Sequence, residues 1–379
     1  MDNKSFNLLA IAAVVSLVTA GLVHSAYDTW NVENVSGEKL FPGFDRDANQ
    51  VGQLAIQQGE KKLEFHKAKG NWTIANRGGY PAKTESVQQL LVRIARAELV
   101  EAKTKDPERY GLLELEDPAG KDAQSKLIGL RDADGKTIGE LVVGKRRQSA
   151  FGQGRSGVYV RRPGNNQTWL SNVTIQPTFD VSDWVEPVFF RIGDAKVKTL
   201  TLKTPDGGEV QIVADEKKKD DKKEDTHRFA AIPDGKKLKK DIDASVIVRG
   251  LQTFELTDVR KRADAKLPKD AITIPAVIET EKGMKLQAEL VRIGEDDRWL
   301  SLKVLEDGKD AKAAKSFREK LDGWQFKIAD WRARQVFKTS GEMFEDKPKE
   351  AAATPEDAAK QDATKQPALP GPVVPKANN

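Results

Sequence analysis

The chain has 379 residues, no cysteine, three histidines and a formal net charge of +5. Without cysteine it can form no disulfide, no thiolate metal site and no lipid-modified cysteine anchor. A net charge this small for the length argues against a dedicated nucleic-acid-binding protein.

The N-terminal segment predicts a membrane anchor. Residues 6–23 form an almost unbroken apolar run, just long enough to cross a bilayer as a helix when its polar edges are included. Lys4 precedes this run, and acidic residues predominate in the segment after it. This weak charge bias places the N-terminus in the cytoplasm. We therefore expect a single-pass membrane protein with the bulk of its chain outside the cytoplasm.

Two further interpretations of this segment stay open. Val18, Thr19 and Ala20 resemble a small-residue cleavage site, so a removed signal peptide is the alternative to a retained anchor. The apolar run continues past Ala20, which favours retention. Ala12, Ser16 and Ala20 lie four residues apart and form a candidate face for packing another membrane helix, although an alanine-rich anchor often contains such spacing by composition alone.

The rest of the chain divides by composition. Every residue of 215–225 is charged, and residues 345–379 contain six prolines and no aromatic residue. Neither segment can bury enough apolar surface to offset the entropy of ordering, so both are predicted to be disordered. We expect a membrane anchor at 1–26, a first domain at 27–190, a second domain at 191–344 that carries the charged loop, and a Pro/Ala/Lys-rich tail at 345–379.

An internal repeat predicts the architecture of the two domains. Residues 51–56, 59–65 and 72–74 read as strand, turn, strand and strand, and residues 197–202, 207–212 and 229–232 read the same way. The offset is 146 residues at the first strand (197 − 51) and 157 at the third (229 − 72). Because the difference of 11 equals the length of the charged run, that run is predicted to be a hairpin-loop insertion in the second copy.

A helix and more strands follow in each copy. Thr84 can cap a helix in the first copy, and Asp243 precedes a second helix in which Ile247, Leu251 and Phe254 have helical spacing. Alternating strands then follow at 126–130, 137–143, 158–160 and 168–170, and at 276–280, 285–290 and 299–304. The predicted fold class is therefore α+β: an N-terminal transmembrane helix, then two tandem repeats, each an antiparallel sheet covered by a helix.

Five strings carry a family resemblance: Phe41-Pro-Gly-Phe44, Trp72-Thr-Ile74, Gly79-Tyr-Pro-Ala82, residues 103–118 and Gly323-Trp-Gln-Phe326. In this order they resemble the bacterial domain-of-unknown-function family 4340 (DUF4340) over roughly 41–344. The resemblance implies a periplasmic protein held in the bacterial inner membrane. It also implies an accessory role beside the permease, ATPase and gliding-motility-type auxiliary subunits of an ABC transporter, and no catalytic residues.

The sequence offers no independent sign of catalysis. The histidines His24, His66 and His227 have no metal-ligand spacing, and no hydrolase or phosphate-loop motif is present. Residues 152–157 match GxGxxG, but a dinucleotide fold needs a helix after the glycines, whereas a strand is predicted there. We read these glycines as a hairpin loop. No enzyme, metal or cofactor is expected.

One basic segment is a candidate binding site. Residues 141–179 contain no carboxylate but several cations and aromatic residues, namely Lys145, Arg146, Arg147, Arg155, Arg161, Arg162, Tyr159 and Trp169. Such a surface suits an anionic lipid, an acidic glycan or an acidic partner subunit. The alternative is an edge hairpin kept soluble by its charges. Two functions therefore remain: an accessory or scaffold subunit of a transport complex, or a binding module for anionic lipid or glycan.

Overall fold

A computed structural model describes residue 16 and residues 37–152, 154–192, 196–205, 207–215 and 227–347. Most of the predicted anchor, including Ala12 and Ala20, lies outside these residues, as do residues 216–225 of the charged loop and the tail from residue 348. Within the part that is described, no helix is both long and apolar enough to cross a membrane.

The first sheet has ten strands, all paired antiparallel. It contains β1 (Glu38–Lys39), β2 (Gln53–Gln58), β3 (Lys61–Ala68), β4 (Asn71–Ile74), β5 (Tyr80–Pro81), β6 (Glu98–Ala102), β7 (Lys126–Arg131), β8 (Thr137–Arg147), β9 (Gly157–Arg161) and β10 (Thr168–Ser171). Their order across the sheet is β1-β6-β10-β9-β8-β7-β2-β3-β4-β5.

The second sheet has nine strands, also antiparallel. It contains β11 (Val188–Arg191), β12 (Val197–Lys203), β13 (Glu209–Ala214), β14 (His227–Phe229), β16 (Thr253–Lys261), β17 (Ile272–Thr280), β18 (Lys285–Ile293), β19 (Asp297–Glu306) and β20 (Trp324–Ile328). Their order is β11-β16-β20-β19-β18-β17-β12-β13-β14, which repeats the order of the first sheet up to β4. Two short strands, β15 (Lys236–Leu238) and β21 (Phe344–Asp346), pair separately.

Few helices accompany the sheets, so the chain is an α+β protein. They are α1 (Phe44–Asp47), α2 (Thr84–Arg96), α3 (Ala244–Gly250), α4 (Ala311–Leu321), α5 (Asp330–Val336) and α6 (Ser340–Met343). Short 3-10 helices occur at Ala48–Gln50, Ala75–Arg77, Pro107–Leu113, Val181–Asp183 and Arg262–Asp264.

Period-two alternation gives each sheet one buried face, which we call the inner face. On β2 and β3 the inner residues Leu54, Ile56, Leu63 and Phe65 are almost completely buried, and the residues between them are partly or fully exposed. Helix α2 covers this face of the first sheet with Val87, Leu90, Leu91 and Ile94, which recur at helical spacing. The opposite side of each sheet is the outer face.

The inner faces of both sheets belong to one hydrophobic core cluster. At their junction the Tyr80 ring lies 5.0 Å from the Trp324 ring and 6.1 Å from the Phe326 ring, edge to face in both pairs. Arg77 forms an ion pair of 2.6 Å with Asp258, across the two sheets. Aromatic packing and a half-buried ion pair therefore join the first sheet to the second.

Three local expectations are wrong: the capping role of Thr84, the helical position of Phe254 and the extension of a strand to residue 232. The helix α2 begins at Thr84 itself, because Lys83 occupies the N-cap position without a side-chain hydrogen bond. Asp243 does cap α3, accepting from the Ser245 and Val246 N–H groups, but this helix ends at Gly250. Phe254 therefore lies on β16, where strand alternation places it in the core. Strand β14 ends at Phe229 and does not continue to residue 232.

Candidate functional site

The eight residues of the basic segment lie on strands β8, β9 and β10 and on the β8–β9 and β9–β10 connections. Lys145, Arg146 and Arg147 end β8, and Arg155 lies in the connection; all four side chains are exposed. β9 begins directly at Gly157, so a strand follows the GxGxxG string, as the hairpin interpretation predicts. We call Lys145, Arg146, Arg147 and Arg155 the basic tip.

The basic tip makes few contacts with the rest of the sheet. An Arg146 Nη2 group donates to Ser156 Oγ at 3.0 Å, and Arg147 lies 3.7 Å from a carboxylate oxygen of Glu101, which also pairs with Lys103. Exposed ion pairs of this kind contribute at most about 1 kcal/mol. The four cations therefore remain available to an anionic partner.

Arg161 and Arg162 have a different role. Arg161 donates from Nε and Nη2 to the Leu115 carbonyl at 3.3 and 3.2 Å, and its guanidinium lies 4.8 Å from the centre of the Tyr110 ring. Arg162 donates from Nε to the Leu40 carbonyl at 3.0 Å and from Nη2 to the Lys39 backbone carbonyl at 3.2 Å. These two arginines hold distant segments against the sheet.

The two aromatic residues of the segment also contribute to packing. Tyr159 packs on the outer face against a small cluster formed by Tyr110, Leu115 and Val142. Trp169 pairs with Val160 and with Ala102, and packs partly buried against the main core. The structure thus brings four of the eight sequence-predicted residues together as an exposed charged surface and uses the other four to stabilise the sheet.

The basic tip lies in the same cross-strand row as Glu38 of β1. Glu38 pairs with Leu99, Leu99 pairs with Ser171, and Ser171 pairs with Val158, which follows the tip. Neighbouring strands are about 4.8 Å apart, so the four steps from β1 to β8 span roughly 19 Å. Residues 24–36 separate this point from the apolar run that is predicted to span the membrane.

Glu98 holds strand β1 and the residue before it against the first sheet. Its carboxylate forms an ion pair of 3.0 Å with Lys39 and accepts from the Gly37 N–H at 3.4 Å and from Asn172 Nδ2 at 3.0 Å. The hydrogen bond from Lys39, with those from Gly37 and Asn172, lowers the pKa of Glu98 below its ordinary value. The same carboxylate therefore ties β1 to β6 and to the segment after β10.

A second feature, which the sequence interpretation missed, is a polar trough on the outer face of the first sheet. Its volume is about 140 Å³. It lies over β2, β3, β7 and β8, and its lining includes Gln53, Ala55, Gln57, Lys62, Glu64, His66, Leu127, Gly129, Arg131 and Glu140. Two signals in the sequence could have indicated it: the polar alternation of β2 and β3, and a glycine inside β7.

Metal binding has no cluster to support it within the described ranges. No group of three or more histidine or carboxylate side chains there is arranged to hold an ion. His66 lies on the trough, and His227 contacts the Val197 carbonyl through Nε2 at 2.9 Å. His24 is outside the described residues.

Two antiparallel sheets on a shared core, with a charged edge and a shallow polar trough, define an α+β protein with surfaces suited to binding. The family model described as "Domain of unknown function (DUF4340)" matches residues 72–271, which is more than half of the chain. The protein therefore belongs to the DUF4340 family. No curated protein and no solved structure matches the chain at a significant level.

Proposed function

We propose that this protein is a non-enzymatic accessory or scaffold subunit of an ABC-type transport complex. In this proposal residues 6–23 anchor it in the bacterial inner membrane, with the N-terminus cytoplasmic and the two sheets in the periplasm. The observation that carries the proposal is the single core cluster shared by both sheets. It supports one rigid body with two outer faces, which suits a subunit that contacts several partners.

The way in which the chain enters the first sheet also supports an anchored scaffold. Glu98, Lys39 and Arg162 fix β1 immediately after the segment that leads from the predicted anchor. A firm attachment at this point would limit the positions that the first sheet can take relative to the membrane. A partner subunit in the same membrane would then meet a restricted set of surfaces.

The proposal includes a tandem repeat of the sheet unit. The matching strand orders of the two sheets support it, because β11 to β14 and β16 to β20 follow the same order as β1 to β4 and β6 to β10. The position of the charged loop supports it as well. Residues 216–225 lie between β13 and β14, which pair as the corresponding β3 and β4 do.

Purification from membranes tests the accessory role. We expect a C-terminally tagged full-length protein, extracted in a mild detergent, to recover a permease and its ATPase in stoichiometric amounts. The matched control replaces residues 1–26 with a cleavable signal peptide and should recover much less of both. Recovery of the full-length protein alone, from membranes that still contain the transporter, would contradict the proposal.

Protease added outside the inner membrane tests the topology. The sheets should be digested while the membrane remains intact, and the mass of the purified protein should include residues 1–20. Protection of the sheets would contradict the proposed orientation. A protein that lacks the first twenty residues would support a cleaved signal peptide.

The second candidate function is binding of an anionic lipid or acidic glycan. The specific observation in its favour is the basic tip, whose four cations are exposed at the same end of the sheet as Glu38 of β1, roughly 19 Å away. Arg161 and Arg162 should not be substituted in its test, because they stabilise the sheet. We expect Lys145→Gln, Arg146→Gln and Arg155→Gln together to reduce flotation with anionic vesicles, most clearly at low salt.

The matched control for this test carries Lys309→Gln, Lys312→Gln and Lys315→Gln. These lysines are equally exposed but lie on and before α4 in the second half of the chain. The control removes the same charge and should float like the wild type. Equal losses of vesicle flotation in the two triple variants would show a general effect of net charge and no specific site.

A further inference from the structure

The floor of the trough is formed by two small residues on adjacent strands. Ala55 of β2 lies opposite Gly129 of β7, and on the other sides these residues face Glu64 and Glu140. The row Glu64, Ala55, Gly129, Glu140 crosses four strands, about 14 Å in all. Long polar side chains thus stand at both ends of a low central surface.

Gly129 differs from the other glycines inside the strands of this sheet. A Cβ atom on Gly139 would lie 3.1 Å from the Phe41 ring, one on Gly157 would lie 2.6 Å from the Ser171 carbonyl oxygen, and one on Gly144 would clash with the Leu113 carbonyl. A Cβ on Gly129 would meet nothing within 4 Å. Packing therefore explains the other three glycines and does not explain Gly129. A strand glycine often marks a place where a ligand approaches the backbone closely.

Two opposite charges border this floor without pairing. Glu140 lies directly across from Gly129, and Arg131 is two residues further along β7. Two residues along a strand span about 6.6 Å, which is within reach of a long arginine side chain. The bulge that shifts the β7–β8 register lies on β8, between Gly139 and Thr137, and leaves the pairing of Gly129 with Glu140 intact. Among the described residues, neither side chain forms an ion pair, although Lys62 and Glu64 on β3 pair with each other at 2.6 Å. Within the part of the chain that the structure describes, the β7–β8 side of the trough therefore presents one anion and one cation that have no ion-pair partner.

We propose that the trough binds the zwitterionic group of an α-amino acid. The ammonium group lies against the Glu140 carboxylate, the carboxylate group lies against the Arg131 guanidinium, and the ligand's α-carbon lies over Gly129. Gln53 and Gln57, at either side of Ala55, offer amide donors and acceptors to the remaining polar atoms. This inference does not depend on the proposed accessory role.

The size of the trough agrees with such a ligand. A cavity of about 150 Å³ accommodates a six-atom ring such as benzene. The trough is nearly as large, about 140 Å³. L-alanine also has six non-hydrogen atoms. A larger side chain would extend from the open trough into solvent.

Saturation-transfer NMR on the full-length protein in detergent tests the proposal with three probes. L-alanine carries both charges, N-acetyl-L-alanine lacks the ammonium group, and L-alaninamide lacks the carboxylate. We expect a clear signal from L-alanine and signals at least about tenfold weaker from the two blocked probes, since each loses a charged hydrogen bond. Equal signals from all three probes, or none from L-alanine, would overturn the proposal.

Variants locate the site. Gly129→Val adds a side chain to the open floor at a strand position with ordinary backbone angles, so the melting temperature should stay the same or rise while the L-alanine signal is lost. Glu140→Gln and Arg131→Gln should each weaken L-alanine binding about tenfold. Glu255→Gln and Lys303→Gln, exposed on β16 and β19 of the second sheet, are the controls and should bind normally. Undiminished binding by a folded Gly129→Val variant would refute the assignment.

Discussion

The two sheets repeat one strand order but cover their outer faces differently. In the first sheet, residues 103–125 connect β6 to β7 and cross the outer face, where Tyr110 and Leu115 pack on Val142. In the second sheet, the corresponding connection from β16 to β17 spans only residues 262–271. The comparison shows that a covered outer face is not needed for this strand order.

An arginine stacks on an aromatic ring in both sheets. Arg161 lies beneath the covering segment of the first sheet, against Tyr110. In the second sheet the Arg260 guanidinium lies 3.9 Å from the centre of the Trp299 ring, and its Nε donates to Gln325 Oε1 at 2.9 Å. Burial lowers the pKa of Arg260. Here the arginine itself covers the aromatic ring, so that Trp299 remains only 8 % exposed.

The largest expected effect comes from the core that the sheets share. Trp72→Ala in the first sheet and Phe326→Ala in the second should each lower the free energy of unfolding by about 3–5 kcal/mol. Both side chains are almost fully buried in the same cluster. Chemical denaturation followed by fluorescence and by circular dichroism should show one transition in each variant. Separate transitions, each sensitive to only one substitution, would mean that the sheets unfold independently.

A smaller effect is expected from the covering segment. The Tyr110 hydroxyl donates to the Asn166 carbonyl at 2.6 Å. Tyr110→Phe removes this hydrogen bond and keeps the ring against Arg161, so it should cost about 1 kcal/mol. Tyr159→Phe is a matched control, since Tyr159 packs against the same cluster. A loss from Tyr110→Phe no greater than that of the control would show that this hydrogen bond does not secure the segment.

The interaction between Arg260 and Trp299 in the second sheet can be measured by a double-mutant cycle. Arg260→Gln, Trp299→Leu and the double variant should give a coupling energy of about 0.5–1 kcal/mol, the range of partly exposed cation–π pairs. Urea denaturation at neutral pH provides the three stability differences. Additive effects would show that Arg260 and Trp299 do not stabilise each other.

At the junction between the sheets, the Tyr80 hydroxyl group should leave the stability of the protein unchanged at neutral pH and lower it in alkali. Burial, assisted by the negative charge of Glu186, raises the pKa of Tyr80 to about 12. The folded state then keeps the phenol proton that the unfolded state loses near pH 10, so this contribution to stability is present below pH 10 and is lost as the pH rises towards 12. Spectrophotometric titration at 295 nm should resolve one late tyrosine in the wild type and none in Tyr80→Phe. If the Tyr80→Phe variant still showed a tyrosine that ionises late, the raised pKa would belong to another tyrosine.

Local patterns in the sequence predicted much of the fold. Alternation located β2, β3, β7, β12 and β18, because each has one face in the core. It did not identify β6 or β16, whose partners are far away in the chain, nor helix α4, which contains only two buried residues. Helical spacing wrongly included Phe254, since an isolated apolar residue fits a helix and a strand equally well.

The candidate sites were less accessible to prediction. The charge pattern identified the basic tip, but it could not separate Arg161 and Arg162 from it. The carbonyl groups that these arginines bind lie 46 and 122 residues away in the chain. The trough depends on the register of four strands, because only the pairing brings Ala55, Gly129 and Glu140 into one row. The local signs were the polar alternation of β2 and β3 and the unusual position of Gly129 inside the apolar strand β7.

The attachment of β1 has a mechanical consequence. If the preceding segment is anchored in a membrane, any pull between the membrane and the protein acts first on Gly37 and on the two residues of β1, at the outermost edge of the sheet. β1 can then peel away without breaking a ladder between the inner strands. The contacts of Glu98 and Arg162 with this segment are the first to resist the load. Under such a load they would break before the pairing between the inner strands, because β1 pairs only with β6.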